Sequence, residues 1–342
     1  MRFFALLPLM ALCMQSAWLS GMSADSLQTR QYDINEVVVT APRETGRLRD
    51  LPAAVSMITG RTTEGLQMQA IKGVSSYVPN LFIPDYGSKI TSAIYLRGIG
   101  SRMNAPAVGL YVDNMPYLDK STFDFDFLDI ERIEVLRGPQ GTLYGRNSLA
   151  GLISIHTLSP FAYQGSRITL SGGTRNTLSA GFSTYQKASK TMAFSLGGRY
   201  EYKGGFFTNQ YTGKKADRLY SGSLHGKYIW KISPSWQLTY TVKYENSDQG
   251  GYAYGKVDKE SGEVAGVNYN EPSTYQRSLL SNGLLVEHKG KKLVVSSITS
   301  HNYFADRMFL DQDFSPLSIY TLTQNQLQNA YSQEFVVKSN AN

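Results

Sequence analysis

From about residue 166 onward the chain alternates apolar and polar side chains with a period of two. Leu178, Ala180 and Phe182 share one phase; Met192, Phe194, Leu196, Tyr200 and Tyr202 stand against Thr191, Ser195, Arg199 and Glu201. Trp236, Leu238, Tyr240, Val242 and Tyr244 oppose Gln237, Thr239, Thr241, Lys243 and Glu245 in the same way. This is the mark of strands with one apolar and one polar face. It predicts strands at roughly 166–172, 177–186, 190–202, 219–230, 236–246, 278–288, 292–303 and 329–338. A soluble sandwich would alternate too, so the connections decide. Those at 187–189, 231–235 and 289–291 are brief, whereas 203–218, 247–277 and 304–328 are extended. Short turns on one rim and long loops on the other predict an outer-membrane barrel. Tyr and Trp near strand ends fit its interfacial girdles, although ordinary β-propensity also accounts for them.

Residues 51–157 lack that period and have the composition of a small α+β domain. Strands are expected at 51–58, 94–98, 108–113 and 129–136, with a helix over 63–77 that stops before Pro79. Gly138, Pro139, Gly141, Gly145 and Gly151 predict a turn-rich stretch rather than a helix. Their spacing contains no Gly-Lys-Ser/Thr, which excludes a phosphate-binding loop.

The N-terminal 24 residues combine Arg2, an apolar run and the small pair Ser23 and Ala24, the pattern of a secretory signal peptide, with a signal anchor as the alternative. Its removal takes away Cys13, the single cysteine, and with it any disulfide or thiolate metal site. The formal charge of +7 is scattered and leaves no nucleic-acid footprint. After a polar leader, Glu36, Val37, Val38, Val39, Thr40 and Ala41 favour an extended backbone that Pro42 ends. Such a segment suits strand addition to the open sheet edge of a partner; an ordinary first strand of the next domain has the same pattern.

Strand number sets a further expectation. Residues 159–342 supply about eight strands, and a closed barrel of eight has room inside only for side chains or one small ligand. A barrel enclosing the preceding domain needs about 22 strands, so this barrel is expected to be incomplete, with residues 331–340 a strand running off the end.

Several runs carry a resemblance. They are the 36–43 segment, Leu51 to Ile58, Tyr77 to Asn80, Leu96 to Gly100, Tyr111 to Pro116 and, above all, the Glu-Arg-Ile-Glu-Val-Leu-Arg-Gly-Pro-Gln-Gly-Thr-Leu-Tyr-Gly-Arg-Asn run from Glu131 to Asn147. In these motifs and their order the chain resembles the TonB-dependent outer-membrane receptors of Gram-negative bacteria. Asn114 stands where that family often has glycine, a swap Asn tolerates because it adopts left-handed geometry. Ser154 stands where the family usually has asparagine.

The resemblance implies a signal peptide at 1–24, a flexible leader with the TonB box at 25–44, an α+β plug at 45–158 and a partial transmembrane antiparallel β-barrel at 159–342. It implies active uptake of a scarce ligand, foremost an iron-siderophore complex, with cobalamin, haem and glycans behind it. Residues 36–41 would bind a TonB-type energy-transducing protein of the inner membrane. Arg97, Glu131, Arg132, Glu134, Arg137 and Arg146 would tie plug to barrel, the alternative being solvated turn charges. Tyr86, Arg102, Asn104 and Tyr117, in the loops 83–104 and 117–125, are the ligand-binding candidates, with simple packing as the alternative. Four histidines without metal-like spacing, and no nucleophile beside a base, predict neither a metal, a cofactor nor an enzyme. The rival functions are a non-transporting binding or adhesion surface and a non-functional truncated receptor.

Overall fold

Two kinds of sheet follow from the two kinds of pattern. The computed structural model describes residues 54–89, 93–101 and 105–340, and the backbone alone of 38–39 and 46–47. The expected signal peptide, most of the leader, Glu36, Val37, Thr40, Ala41, Arg102 and Asn104 lie outside the described residues. Within the 36–41 segment, β1 (Val38–Val39) pairs antiparallel with β2 (Gly46–Arg47), Val38 opposite Arg47 and Val39 opposite Gly46.

The plug is built on a mixed five-stranded sheet. Its strands are β3 (Ala54–Thr59), β7 (Val108–Val112), β8 (Met115–Tyr117), β9 (Ile130–Arg137) and β10 (Gly151–Thr157), in the order β3-β9-β10-β7-β8. β10 runs parallel to β7, and the other neighbours are antiparallel. A smaller sheet joins β4 (Leu81–Phe82), β5 (Tyr95–Leu96) and β6 (Ile99–Gly100). Ile58, Ile71, Val74, Leu96, Leu110, Phe123, Ile133 and Ile153 form the core between these sheets and the turns that cover them.

Three sequence expectations change here. The helix expected over 63–77 is two short pieces, α1 (Gly60–Gly65) and a 3-10 turn at Ile71–Ser76. Thr59 starts α1 early by accepting the Thr62 N–H, and Gln67, at φ 49, interrupts the chain between the pieces. The strand expected at 94–98 folds back on itself, because Arg97 (φ 52) and Gly98 (φ 78) make a hairpin turn between β5 and β6. The turn-rich stretch ends in β10, a central strand between β7 and β9 whose Ile153 and Ile155 alternate with Ser154 and His156 directly after the punctuating Gly151. Ahead of it, α2 (Gly141–Tyr144) adds one helical turn.

The period-two region forms one antiparallel meander. It comprises β11 (Gly165–Gly173), β12 (Thr177–Lys187), β13 (Met192–Lys203), β14 (Leu219–Lys231), β15 (Trp236–Gly250), β16 (Thr274–Lys289), β17 (Leu293–Asp311) and β18 (Thr321–Ser339). Each strand pairs with the next, and β11 and β18 each have one neighbour. The apolar phase points away from the plug: Leu178, Leu196, Leu224 and Trp236 remain 59, 49, 52 and 44% exposed. The polar phase points inward, where Glu245, Ser247 and Ser281 are buried. A water-soluble sheet does the reverse, whereas a wall with lipid outside and polar contents inside needs this arrangement. No helix among the described residues is long and apolar enough to cross a membrane, which leaves this wall unaffected.

The strands outrun their predicted ends by more than one residue on the long-loop rim. β17 continues to Asp311 and β18 begins at Thr321, well beyond the expected 303 and 329. In that extension charged and amide residues such as Asp306, Arg307, Gln324 and Asn325 erase the apolar contrast while the backbone ladder continues, Asp306 opposite Gln326 and Arg307 opposite Asn325. The long-loop rim thus carries connections at 204–218, 251–273 and 312–320, and the opposite rim keeps tight turns.

Candidate functional site

Inward positions on neighbouring strands lie side by side, so charges two residues apart on β15 and across on β16 form one patch. Lys243 and Glu245 on β15 and Arg277 on β16 supply it, and two plug segments, the loop holding Lys89 and the stretch Asp124, Phe125 and Asp126, descend onto it. Glu245 Oε1 accepts from Lys89 Nζ at 3.0 Å and from Arg277 Nη2 at 2.6 Å, while its Oε2 accepts the Asp126 N–H at 2.8 Å. Lys89 Nζ also donates to Asp126 Oδ1 at 2.6 Å and to Ser221 Oγ on β14 at 3.2 Å. Arg277 donates further to the carbonyls of Lys89, Ser121 and Asp124. Lys243 Nζ donates to the Asp126 carbonyl at 2.8 Å and lies 3.6 Å from the centroid of the Phe125 ring. Burial alone would lower the Lys89 pKa; the Glu245 and Asp126 carboxylates outweigh it and hold the ammonium above its ordinary range.

A second tie uses the β7–β8 turn. Asp113 (φ 49) and Asn114 (φ 68) make a two-residue left-handed turn, the geometry that Asn in place of glycine can adopt. Asp113 accepts the Thr157 N–H at 3.0 Å and the Thr157 hydroxyl at 2.7 Å, and pairs with Lys227 of β14 at 3.1 Å. Burial would raise the Asp113 pKa, but Lys227 and the Thr157 bonds overcome that and lower it. Farther along the wall, Asn302 of β17 donates to the Pro116 carbonyl at 3.0 Å, and the inward Leu279 and Phe304 join the plug core.

Against β11–β13 the seam is different. Arg167 pairs with Glu64 of α1, with both side chains partly exposed, and Ser183 donates to Asp129 at 3.2 Å. Between these contacts runs a groove of about 540 Å³, lined on the plug by Glu64 and Gln67 and on the wall by Arg167, Thr169, Ser179 and Arg199.

The residues singled out from sequence fall in several places. Arg132 pairs with Glu131 at 2.9 Å and with Glu134 at 2.7 Å, both on its own strand. His156 Nε2 lies 3.7 Å from Glu134; burial would raise the Glu134 pKa, but His156 and Arg132 lower it. Arg137 lies opposite Ala54 and Gly151 in the plug sheet, and Arg146 is exposed beyond α2. Arg97 lines a cleft of about 630 Å³ with Phe82, Tyr86 and Tyr95. The Tyr86 carbonyl accepts from Tyr254 Oη in the 251–273 loop at 2.7 Å. Tyr117 is 2% exposed, with its ring 5.3 Å from that of Phe125. The buried ion cluster brings together residues the sequence did not single out. Its legible signs were two charges, Lys243 and Glu245, on the inward phase of one strand; Arg277 fell inside a segment expected to be a loop.

Comparison with known proteins bears on the whole arrangement. The family model for the TonB-dependent receptor plug domain matches residues 47–152. The chain is similar to the pesticin receptor of Yersinia pestis, 35% identical over 136 residues, which are 39% of this chain and 20% of that protein. It is also similar to the vitamin B12 transporter BtuB of Vibrio vulnificus, 31% identical over 198 residues, 55% of this chain and 29% of that protein. The fold matches the ferric yersiniabactin uptake receptor FyuA from Yersinia pestis with a TM-score of 0.74 at 22% identity, covering 85% of this chain and 46% of that structure. The chain thus spans less than half the length of each of these proteins. Residues 47–152 are thus a TonB-dependent receptor plug domain, and the chain as a whole has the fold of these receptors, with the plug followed by eight antiparallel strands of the barrel wall.

Proposed function

We propose that this chain serves TonB-dependent uptake of a scarce ligand, first of all an iron-siderophore complex, across the outer membrane of a Gram-negative bacterium. The carrying observation is a plug held by buried ions against the polar face of a wall whose other face is apolar. A stopper fixed inside a membrane wall makes sense where passage is to be blocked until work is done on it. The relative named as a vitamin B12 transporter supports a small ligand.

In this reading the long-loop rim faces the exterior and the tight turns face the periplasm. Residues 36–41 add a strand to the TonB-type partner, main-chain hydrogen bonds carrying the pairing. Tyr86, Arg102, Asn104 and Tyr117 are the proposed ligand contacts, and the arginines and glutamates from Arg97 to Arg146 the proposed additional ties of plug to barrel. The test is accumulation of radiolabelled ferric yersiniabactin and of cyanocobalamin by cells with and without the gene, each with and without a protonophore. Gene-dependent, protonophore-sensitive accumulation supports uptake. Gene-dependent surface binding without accumulation would replace it with a non-transporting binding surface.

A further inference from the structure

The outward face of the wall is not evenly filled. Gly222 of β14 lies between Tyr200 of β13 and Asn246 of β15, and a side chain added to it would meet nothing within 4 Å. Its missing side chain opens a pit of about 490 Å³ bordered by Phe182, Tyr200, Tyr220, Leu224 and Tyr244. Leu224 and Phe182 lean together over Gly198, where an added Cβ would come within 2.7 and 2.9 Å of them, and they close the side toward the tight turns. All of these residues belong to β12–β15, each of which has a strand on both sides, and they face away from the plug. Pairing at the edges of the sheet therefore leaves the pit open.

The pit sits at a definite height. Tyr220 and Trp230 bracket the outward run of β14, and Gly222 stands eight residues from Trp230. At about 3.3 Å per residue and a tilt of about 40°, that is about 20 Å, in the upper part of an apolar band about 25 Å tall. Just above, Arg218 continues the outward phase of Gly222 and Tyr220, with its guanidinium 5.8 Å from the centroid of the Tyr220 ring. Arg218 is exposed, and the neighbouring acids are engaged elsewhere. Asp217 accepts the Phe206 and Phe207 N–H groups, and Asp248, which lines the pit, accepts from Gln276 of β16 at 3.0 Å. Lys214 and Lys215 of the same connection add positive charge, and its exposed Phe206 and Phe207 stand at the level where aromatic rings meet headgroups.

We propose that the pit and Arg218 hold one phosphate-bearing lipid of the outer leaflet, with an acyl chain seated on Gly222 and a headgroup phosphate on the guanidinium. An apolar recess beneath a cation matches such a lipid from end to end. The planar guanidinium forks onto phosphate oxygens, and the lysines beside it favour an anionic headgroup over a neutral one. Of the proposed function only the orientation of the wall is needed, long-loop rim outward; binding at the pit does not depend on the cargo.

The test is native mass spectrometry of the protein purified from outer membranes in mild detergent, then offered bisphosphorylated lipid A or lipid A stripped of both phosphates. The expected result is a one-to-one adduct with the phosphorylated probe, and several-fold lower occupancy by the stripped one. Gly222→Leu, which fills the pit, should lower occupancy by both probes several-fold. Arg218→Gln should bring the phosphorylated probe down to the level of the stripped one, while Leu238→Ala, elsewhere on the outward face, should change neither. Equal occupancy by the two probes in the wild type, or wild-type occupancy in both Gly222→Leu and Arg218→Gln, would overturn the site. Absence of uptake in cells whose purified protein shows the adduct would strike the transport reading and leave the lipid site standing.

Discussion

Glu245 and Arg277 meet at 2.6 Å with both side chains at 0% exposure, on neighbouring strands of a wall whose opposite face is apolar. The pair is useful because plug atoms complete it: the Asp126 N–H and the Lys89 ammonium take up the remaining capacity of the Glu245 carboxylate. Glu245→Ala should leave Lys89 and Arg277 buried without their shared counter-charge, a loss of about 3–5 kcal/mol in plug seating. Limited proteolysis of outer-membrane fractions should then cut within the plug while the strands stay protected. An unchanged digestion pattern would show that the cluster does not hold the plug.

Acid should loosen the Asp113 tie. Its folded-state pKa lies below the ordinary carboxylate value, so its contribution is fully present above the unfolded pKa, about 3.9. It is lost as pH falls through the lower, folded value. Thermal unfolding followed from neutral pH down to about pH 3 should show an acid limb that Asp113→Asn flattens. If wild type and variant fall in parallel, Asp113 is not the group responsible.

The same turn offers a backbone test. Asn114 sits at φ 68, where glycine is at ease and β-branched residues are not. Asn114→Gly should be near neutral, and Asn114→Val should cost about 1–2 kcal/mol. Melting temperatures of the purified variants decide; equal values would mean that the turn relaxes.

Proline in the 36–41 segment should separate binding from uptake. Val38→Pro removes a backbone donor from a segment whose proposed use is strand pairing with the energiser. Accumulation should vanish while surface level and ligand binding persist, as read by immunoblot and by binding at low temperature. Normal accumulation would locate the partner contact elsewhere.

The outward face should reject charge. Leu224 lies midway in the outward run of β14 from Tyr220 to Trp230, and it is 52% exposed. Leu224→Arg should destabilise the folded wall by about 2–4 kcal/mol if it sits at the bilayer midplane. Urea titration in lipid vesicles measures it. A cost near zero would remove lipid from that face.

Much of the wall was legible because a face that contacts lipid and a face that contacts the plug impose opposite chemistry on alternate residues. Legibility ended where each face mixes apolar and polar residues, as Met308 and Leu310 beside Asp306 do on the inward side of β17, which is why β17 and β18 were read too short. In the plug it ended where elements are short: the alternation of β10 runs only from Ile153 to His156, directly behind a cluster of turn glycines, and α1 is too brief to establish a helical period. The ion cluster was the least readable part. Lys89 and Arg277 are 188 positions apart, and which of many charges becomes buried depends on which strand arrives beside which loop. The Asp113-Asn114 turn, by contrast, was readable from two adjacent residues because its conformation is local.

Strand length climbs steadily along the meander, from 9 residues in β11 to 19 in β17 and β18. At about 3.3 Å per residue and a tilt of about 40°, nineteen residues rise roughly 50 Å, about twice the apolar band of such a wall. The long-loop rim of these eight strands is therefore a ramp, low over β11–β12 and high over β17–β18. Of these eight strands, β17 and β18 reach farthest from the tight-turn rim, so a large molecule that approaches from the long-loop side meets them first.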